Sequence, residues 1–168
     1  MRREPEGFEA WVFQVAPYPM ESFGHYLGRF RRANVLSSSQ LSAYLGVGQK
    51  DVSYWETPSR RRRPTLSERR QLCSVLGIGL DRLNQMWLPK GEPFYLPTRL
   101  CALCYAEQPC HQVIWQQAHQ SSCALHGNPF LTACPQCDHV FLLPSHWVNG
   151  QCEWCGLPFI DMAWFHSQ

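Results

Sequence analysis

Seven of the nine cysteines stand in pairs with two residues between partners, and one pair is completed by a histidine. Cys101-Ala-Leu-Cys104 and Cys123-Ala-Leu-His126 are separated by 18 residues, Cys134-Pro-Gln-Cys137 and Cys152-Glu-Trp-Cys155 by 14. Such a turn aims two ligand atoms at one centre, about 2.3 Å from each sulfur, and a second turn completes a tetrahedron. The spacing therefore predicts two Zn2+ ions per chain. One sits on Cys101, Cys104, Cys123 and His126, the other on Cys134, Cys137, Cys152 and Cys155. Sites closed by four thiolate or imidazole ligands are structural, because no position stays open for substrate. A redox dithiol would instead need a CxxC at the head of a helix after a strand, and four pairs in succession fit metal better.

The fourth ligand of the first site has rivals. His111 and His119 lie nearby without completing a pair of this spacing, and Cys110 sits inside the intervening loop. Cys73 and Cys110 read as small buried hydrophobes, and His25, His139, His146 and His166 have no metal partner at ligand spacing. Between the pairs of the second site, Val140–Leu143 and Trp147–Val148 read as short strands. Asn149-Gly150 is the turn between the second of them and Cys152, the layout of a zinc ribbon. Gly156 lets the backbone turn under the metal. Four of the seven tryptophans (Trp115, Trp147, Trp154, Trp164) are expected to fill a core too small to be built from aliphatics.

Charge narrows what these sites can grip. Residues 1–95 carry 14 Lys/Arg against nine Asp/Glu, a net of +5, whereas residues 96–168 carry Arg99 against four carboxylates, a net of −3. Ligand thiols bind deprotonated, so the metal-loaded C-terminal half is near −6. That weighs against phosphate attraction there, and any nucleic-acid contact is expected from the first 95 residues. No apolar run is long enough to span a bilayer. The N-terminus lacks the apolar stretch of a secretory leader, so a reducing, cytoplasmic setting is expected, which favours metal over disulfides.

The elements ahead of the metal half are helical. Residues 1–20 alternate Pro, Gly and aromatics and read as an arm, with a strand at Trp11–Val15, that packs on the core or docks on a partner. From Ser22 an apolar stripe of Phe23, Leu27 and Phe30 defines a helix that stops at Asn34. Ser37–Ser39 start a second helix carrying Leu41, Tyr44 and Leu45, and Gly46-Val47-Gly48 turns into a third with Val52, Trp55 and Glu56, which Pro58 closes. Thr65 and Glu68 form a capping box for a helix that buries Leu72 and Leu76 and ends at Gly77. A last helix takes Leu80, Leu83, Met86 and Trp87 up to Pro89.

The second and third helices resemble a helix-turn-helix, whose second member would offer Gln49, Lys50 and Ser53 to a groove. The same arrangement also serves as a protein-docking unit or simply as a trihelical core. Lys50 is the only cation on that helix. Arg60, Arg61, Arg62 and Arg63 form the stronger electrostatic candidate for RNA or DNA, with a solvated linker as the alternative.

The order Arg99-Leu100-Cys101-Ala-Leu-Cys104, Trp115-Gln116, Cys123-Ala-Leu-His126-Gly127, Leu131 and Cys134-Pro-Gln-Cys137 resembles the TniQ family of transposition proteins. Glu21-Ser22-Phe23 with Tyr26-Leu27-Arg29, and Leu80, Leu83 and Met86, look like that family's N-terminal portion. The resemblance covers roughly residues 18–160. It implies a non-catalytic target-selection adaptor that links a site-recognition module to a TnsC-type AAA+ ATPase. About a dozen residues follow Cys155, where many relatives continue. This short form resembles members found with CRISPR-associated transposons, and it implies a CRISPR effector with guide RNA as the second partner and bacterial, nucleoid-associated localisation during transposition.

The expected fold is small α+β. It comprises an arm (1–20), a helical helix-turn-helix-like domain (21–95), a first zinc module (96–130) and a four-Cys zinc ribbon (131–168). A stand-alone sequence-specific DNA-binding protein is the alternative function. A zinc hydrolase or nuclease is the least supported, because all the good ligands are used and no nucleophile–base pair stands out.

Overall fold

The computed structural model describes residues 13–57 and 62–166. Six helices follow in order: α1 Phe23–Ala33, α2 Ser38–Leu45, α3 Gln49–Glu56, α4 Leu66–Leu76, α5 Leu80–Asn84 and α6 Ala102–Glu107. Three 3-10 turns lie at Val113–Gln116, Pro144–His146 and Asp161–His166. The helix boundaries have local causes. Ser37 and Thr65 cap α2 and α4, with Gln40 and Glu68 reaching back to the cap N–H, and Gly46 and Gly77 end the same helices in the left-handed conformation. The helix read through Met86 and Trp87 is shorter than expected, closing at Asn84 in a turn before Pro89.

The strands expected of an α+β chain do not form among the described residues. Pairing is confined to six isolated antiparallel bridges. Of Val140–Leu143 only Val140 is bridged, to Ala133, and Trp147–Val148 follows a 3-10 turn instead. Pro144 explains the break, since it has no N–H for a ladder and starts that turn. Phe13–Val15 carries no strand either, and Trp11 and Val12 lie outside the described residues.

Two cores organise the chain. In the helical one Phe23, Tyr26, Leu27 and Phe30 of α1 meet Leu41, Leu45, Val52, Trp55, Leu72 and Leu83. The other gathers Leu100, Tyr105, Trp115, Phe130, Phe141, Trp147 and Phe159 around the paired cysteines, so both Cys/His clusters share one interior. Trp147 is its hub, within 6.3 Å centroid distance of Tyr105, His111, Phe141 and Phe159. Trp154 and Trp164 are exposed, contrary to the expectation that all four tryptophans fill this core.

Helix α1 fastens the two cores together. Arg32 donates to the carbonyls of Ser145 (2.5 Å) and Trp147 (2.9 Å). Residues just ahead of α1 pair with the loop after α6, where Ser22 N–H meets His111 C=O at 2.7 Å and Val113 N–H meets Met20 C=O at 2.8 Å. The contact is close enough to demand glycine. A Cβ on Gly28 would stand 2.3 Å from the Ser145 carbonyl oxygen and 2.8 Å from its Cα, both backbone atoms. Gly28→Ala is therefore expected to lower stability by about 1–3 kcal/mol through overpacking. A thermal midpoint equal to the parent's would show that the junction is looser than it looks.

Candidate metal centres and the groups that hold them

Three of the four ligand pairs share one local geometry. After the first ligand the chain turns back, and the residue following the second ligand donates its N–H to the first ligand's carbonyl. These bonds are Gly127 to Cys123 (2.7 Å), Asp138 to Cys134 (2.9 Å) and Gly156 to Cys152 (2.8 Å). That third residue has positive φ each time: 72° at Gly127, 58° at Asp138 and 76° at Gly156. Glycine adopts this without steric cost and Asp tolerates it. A bridge flanks each turn: Ser122–Pro129, Ala133–Val140 and Gln151–Pro158. The remaining pair closes the same bond, Tyr105 N–H to Cys101 C=O (3.0 Å), but inside a helix and without a positive φ. Cys101 caps α6 and Cys104 lies in its first turn.

The eight residues come together as two groups of four, Cys101, Cys104, Cys123 and His126, then Cys134, Cys137, Cys152 and Cys155. Within each group the ligand atoms lie within 4.8 Å of one another, and each group can hold a metal ion. The spacing fits a tetrahedron. A metal about 2.3 Å from each sulfur implies edges of about 3.8 Å, slightly less to a nitrogen. Cys104 and Cys123 sulfurs are 3.4 Å apart, and His126 Nδ1 lies 3.3–3.6 Å from the three sulfurs of its group. In the second group the edges Cys134–Cys155 and Cys137–Cys152 measure 3.6 and 3.7 Å. Seven thiols and one imidazole at these distances are a donor set that suits zinc.

His126 is oriented from outside. Its Nδ1 faces the sulfurs, while Nε2 lies 3.2 Å from Glu107 Oε1 on α6. A carboxylate on the far ring nitrogen fixes the tautomer that leaves Nδ1 free to ligate. The residues weighed as rivals have other work. His111 is buried, 2.9 Å from Ser22 Oγ; exposed His119 pairs with Glu92; Cys110 is buried, and burial pushes its thiol up to about 12.

Arg99, two residues ahead of Cys101, is a buried cation without a carboxylate partner among the described residues. It donates to the carbonyls of Trp115 (2.5 Å), Gln117 (2.7 Å) and Gln120 (2.6 Å). The guanidinium lies over the rings of Tyr95 and Phe130, 4.2 and 4.8 Å from their centroids. It thus pins the 18-residue insert of the first site against the segment that leads into it.

A second buried polar group sits at the junction with α1. Glu21 accepts from both His25 (2.5 Å) and Arg29 (2.9 and 2.7 Å), and from the Tyr18 N–H. Burial raises its carboxyl, but the His25 and Arg29 bonds outweigh that and hold it below the usual carboxylate range. His25 and His111 are both depressed, chiefly by burial. A depressed folded-state imidazole takes up a proton on unfolding, so its stability is complete above the ordinary value of about 6.5 and is lost as pH falls below it. Glu21 adds a loss of the same sign below about 4.3. The thermal midpoint is expected to fall between pH 7.5 and 5.5. Zinc release acts in the same direction, so His111→Gln separates the two. It should flatten the pH slope by about one proton, and an unchanged slope contradicts the assignment.

The basic candidates fare unequally. Lys50 is exposed on α3 beside exposed Gln49 and Ser53. Arg62 is committed to Asp51 (2.9 Å) and Glu68 (2.5 Å). Arg63 donates to Pro89 C=O. Arg60 and Arg61 lie outside the described residues.

Fold and clusters together define a small, mainly helical chain with two four-ligand groups that can each hold metal. No helix among the described residues is long and apolar enough to cross a membrane. Comparison with protein-family models found no match, and neither did comparison with curated proteins.

Proposed function

We propose that the chain is a non-catalytic adaptor that binds two structural zinc ions and works by docking other proteins. One observation carries this reading. The metal half spends its ligands on two closed four-donor groups, yet it leaves large apolar side chains on its surface. Val140, Leu142 and Trp154, which line one surface hollow, are 70%, 37% and 63% exposed. A contiguous exposed apolar cluster of this kind suits an interaction surface. The order of zinc motifs, resembling the TniQ family, supplies the context of DNA transposition. In it the partners are a TnsC-type AAA+ ATPase and an RNA-guided CRISPR effector, in the bacterial cytoplasm. The test is co-purification with such an ATPase in the presence of ATP. Retention of the ATPase is expected, with loss when Trp154→Ala and Val140→Ser are combined; no association with ATP present contradicts the reading.

A second reading, sequence-specific DNA binding, has one observation in its favour. Helices α2 and α3 are joined through left-handed Gly46, an order that resembles a helix-turn-helix, and Gln49, Lys50 and Ser53 are exposed. Against it, Asp51 shares that helix with Lys50, and Arg62 spends its charge on carboxylates. Tight duplex binding with a steep salt dependence would favour this second reading. The adaptor reading expects weak, sequence-blind binding by the isolated protein.

A further inference from the structure

A cleft of about 740 Å³ runs between the helical and metal halves, and neither metal group touches it. Its apolar floor comes from Trp87 and Leu88 after α5 and from Ile114 of the 3-10 turn. Its cations are Arg63, Arg69 and Lys90, and no carboxylate is among its lining residues. Burial first, and then the charge of Arg69, depresses the Arg63 guanidinium. Arg69 gives one guanidinium nitrogen to Asn84 Oδ1 at 2.7 Å, while its buried Nε has no partner among the described residues. A buried donor left unpaired costs free energy, and the rest of the Arg69 guanidinium lines the cleft. The volume suits a few side chains and lies in the usual range of ligand sites.

We infer that this cleft docks an acidic segment of a partner protein, with apolar side chains on its floor and a carboxylate against Arg69. The inference rests on the adaptor reading only in taking the partner to be a protein. Charge complementarity selects the acidic character, and the apolar floor selects peptide over a sugar–phosphate backbone, which would leave Trp87, Leu88 and Ile114 unused. The test probes the zinc-loaded full chain with an array of short peptides that combine leucine or phenylalanine with aspartate or glutamate. Asn/Gln counterparts, single-stranded RNA and duplex DNA serve as controls. Acidic peptides are expected to bind selectively, with affinity reduced about tenfold by Arg69→Gln and about fivefold by Lys90→Glu on the exposed rim. Equal binding of neutral peptides, or binding untouched by both substitutions, overturns the inference. So does displacement of the peptide by nucleic acid, or acidic binding that emerges only when residues 1–12 are deleted, which would make the chain's own arm the occupant. Failure of ATPase co-purification alongside acidic-peptide binding would sink the transposition context and leave the cleft assignment standing.

Discussion

Replacing Cys137 by Ser is expected to unfold the entire metal half, not only the second site. Structural zinc contributes about 10–16 kcal/mol of apparent binding energy, which here is folding energy. The ligands are part of the packing: Cys134 and Cys152 belong to the same interior as Leu100, Trp115 and Phe159. Among the described residues no strand ladder substitutes for the metal, since pairing consists of single bridges. Loss of one tetrahedron should therefore release Trp147 and Phe159 and, through Tyr105, the helix that carries Cys104. The near-ultraviolet dichroism of Trp115 and Trp147 should collapse and zinc content should fall below two. Helical signal from α1–α4 should largely persist, because that core has its own apolar contacts. A variant that keeps both the native aromatic spectrum and two zinc ions would show that the metal is dispensable.

Replacing Arg99 by Leu should cost about 2–4 kcal/mol, since buried carbonyls lose charge-assisted bonds at about 1–3 kcal/mol each while the apolar replacement recovers part of the loss. The carbonyls of Trp115 and Gln120 lose the Arg99 donor, and that of Gln117 is left with the Gln120 N–H alone. Lysine should not rescue them. A compact ammonium cannot reach three divergent acceptors from one planar fork, nor lie flat between Tyr95 and Phe130. Chemical denaturation of the two variants checks this: both should unfold at markedly lower denaturant than the parent. An Arg99→Lys midpoint equal to the parent's would reduce Arg99 to a generic cation.

The two groups that can hold metal were legible in the sequence because the spacing within each pair is local. Two-residue spacing dictates that Cys134 and Cys137 share a centre whatever the rest of the chain does. Helix ends were legible for the same reason, as at Ser37 and at Thr65 with Glu68. What stayed hidden depends on residues far apart in the chain. Glu107 behind His126, Arg99 under the 115–120 carbonyls and Glu21 under His25 and Arg29 become evident only when the chain closes on itself. Gly28 carries no local turn signal; its reason is a backbone 117 positions later, at Ser145. The expected strands failed on a local conflict. The apolar run Val140–Leu143 looks like a strand, but Pro144 and the metal turns on either side satisfy the backbone differently. Trp154 was misassigned to the core because composition counts aromatics without saying which sit at a turn tip.

On the proposed reading, two complete tetrahedral zinc sites build the docking half of this protein. Native mass spectrometry of the freshly purified chain tests it most directly. Two zinc ions per chain are predicted, both lost only on denaturation, with all seven ligand cysteines unreactive towards alkylation until then. One zinc or none, or any ligand cysteine recovered in a disulfide, would contradict it.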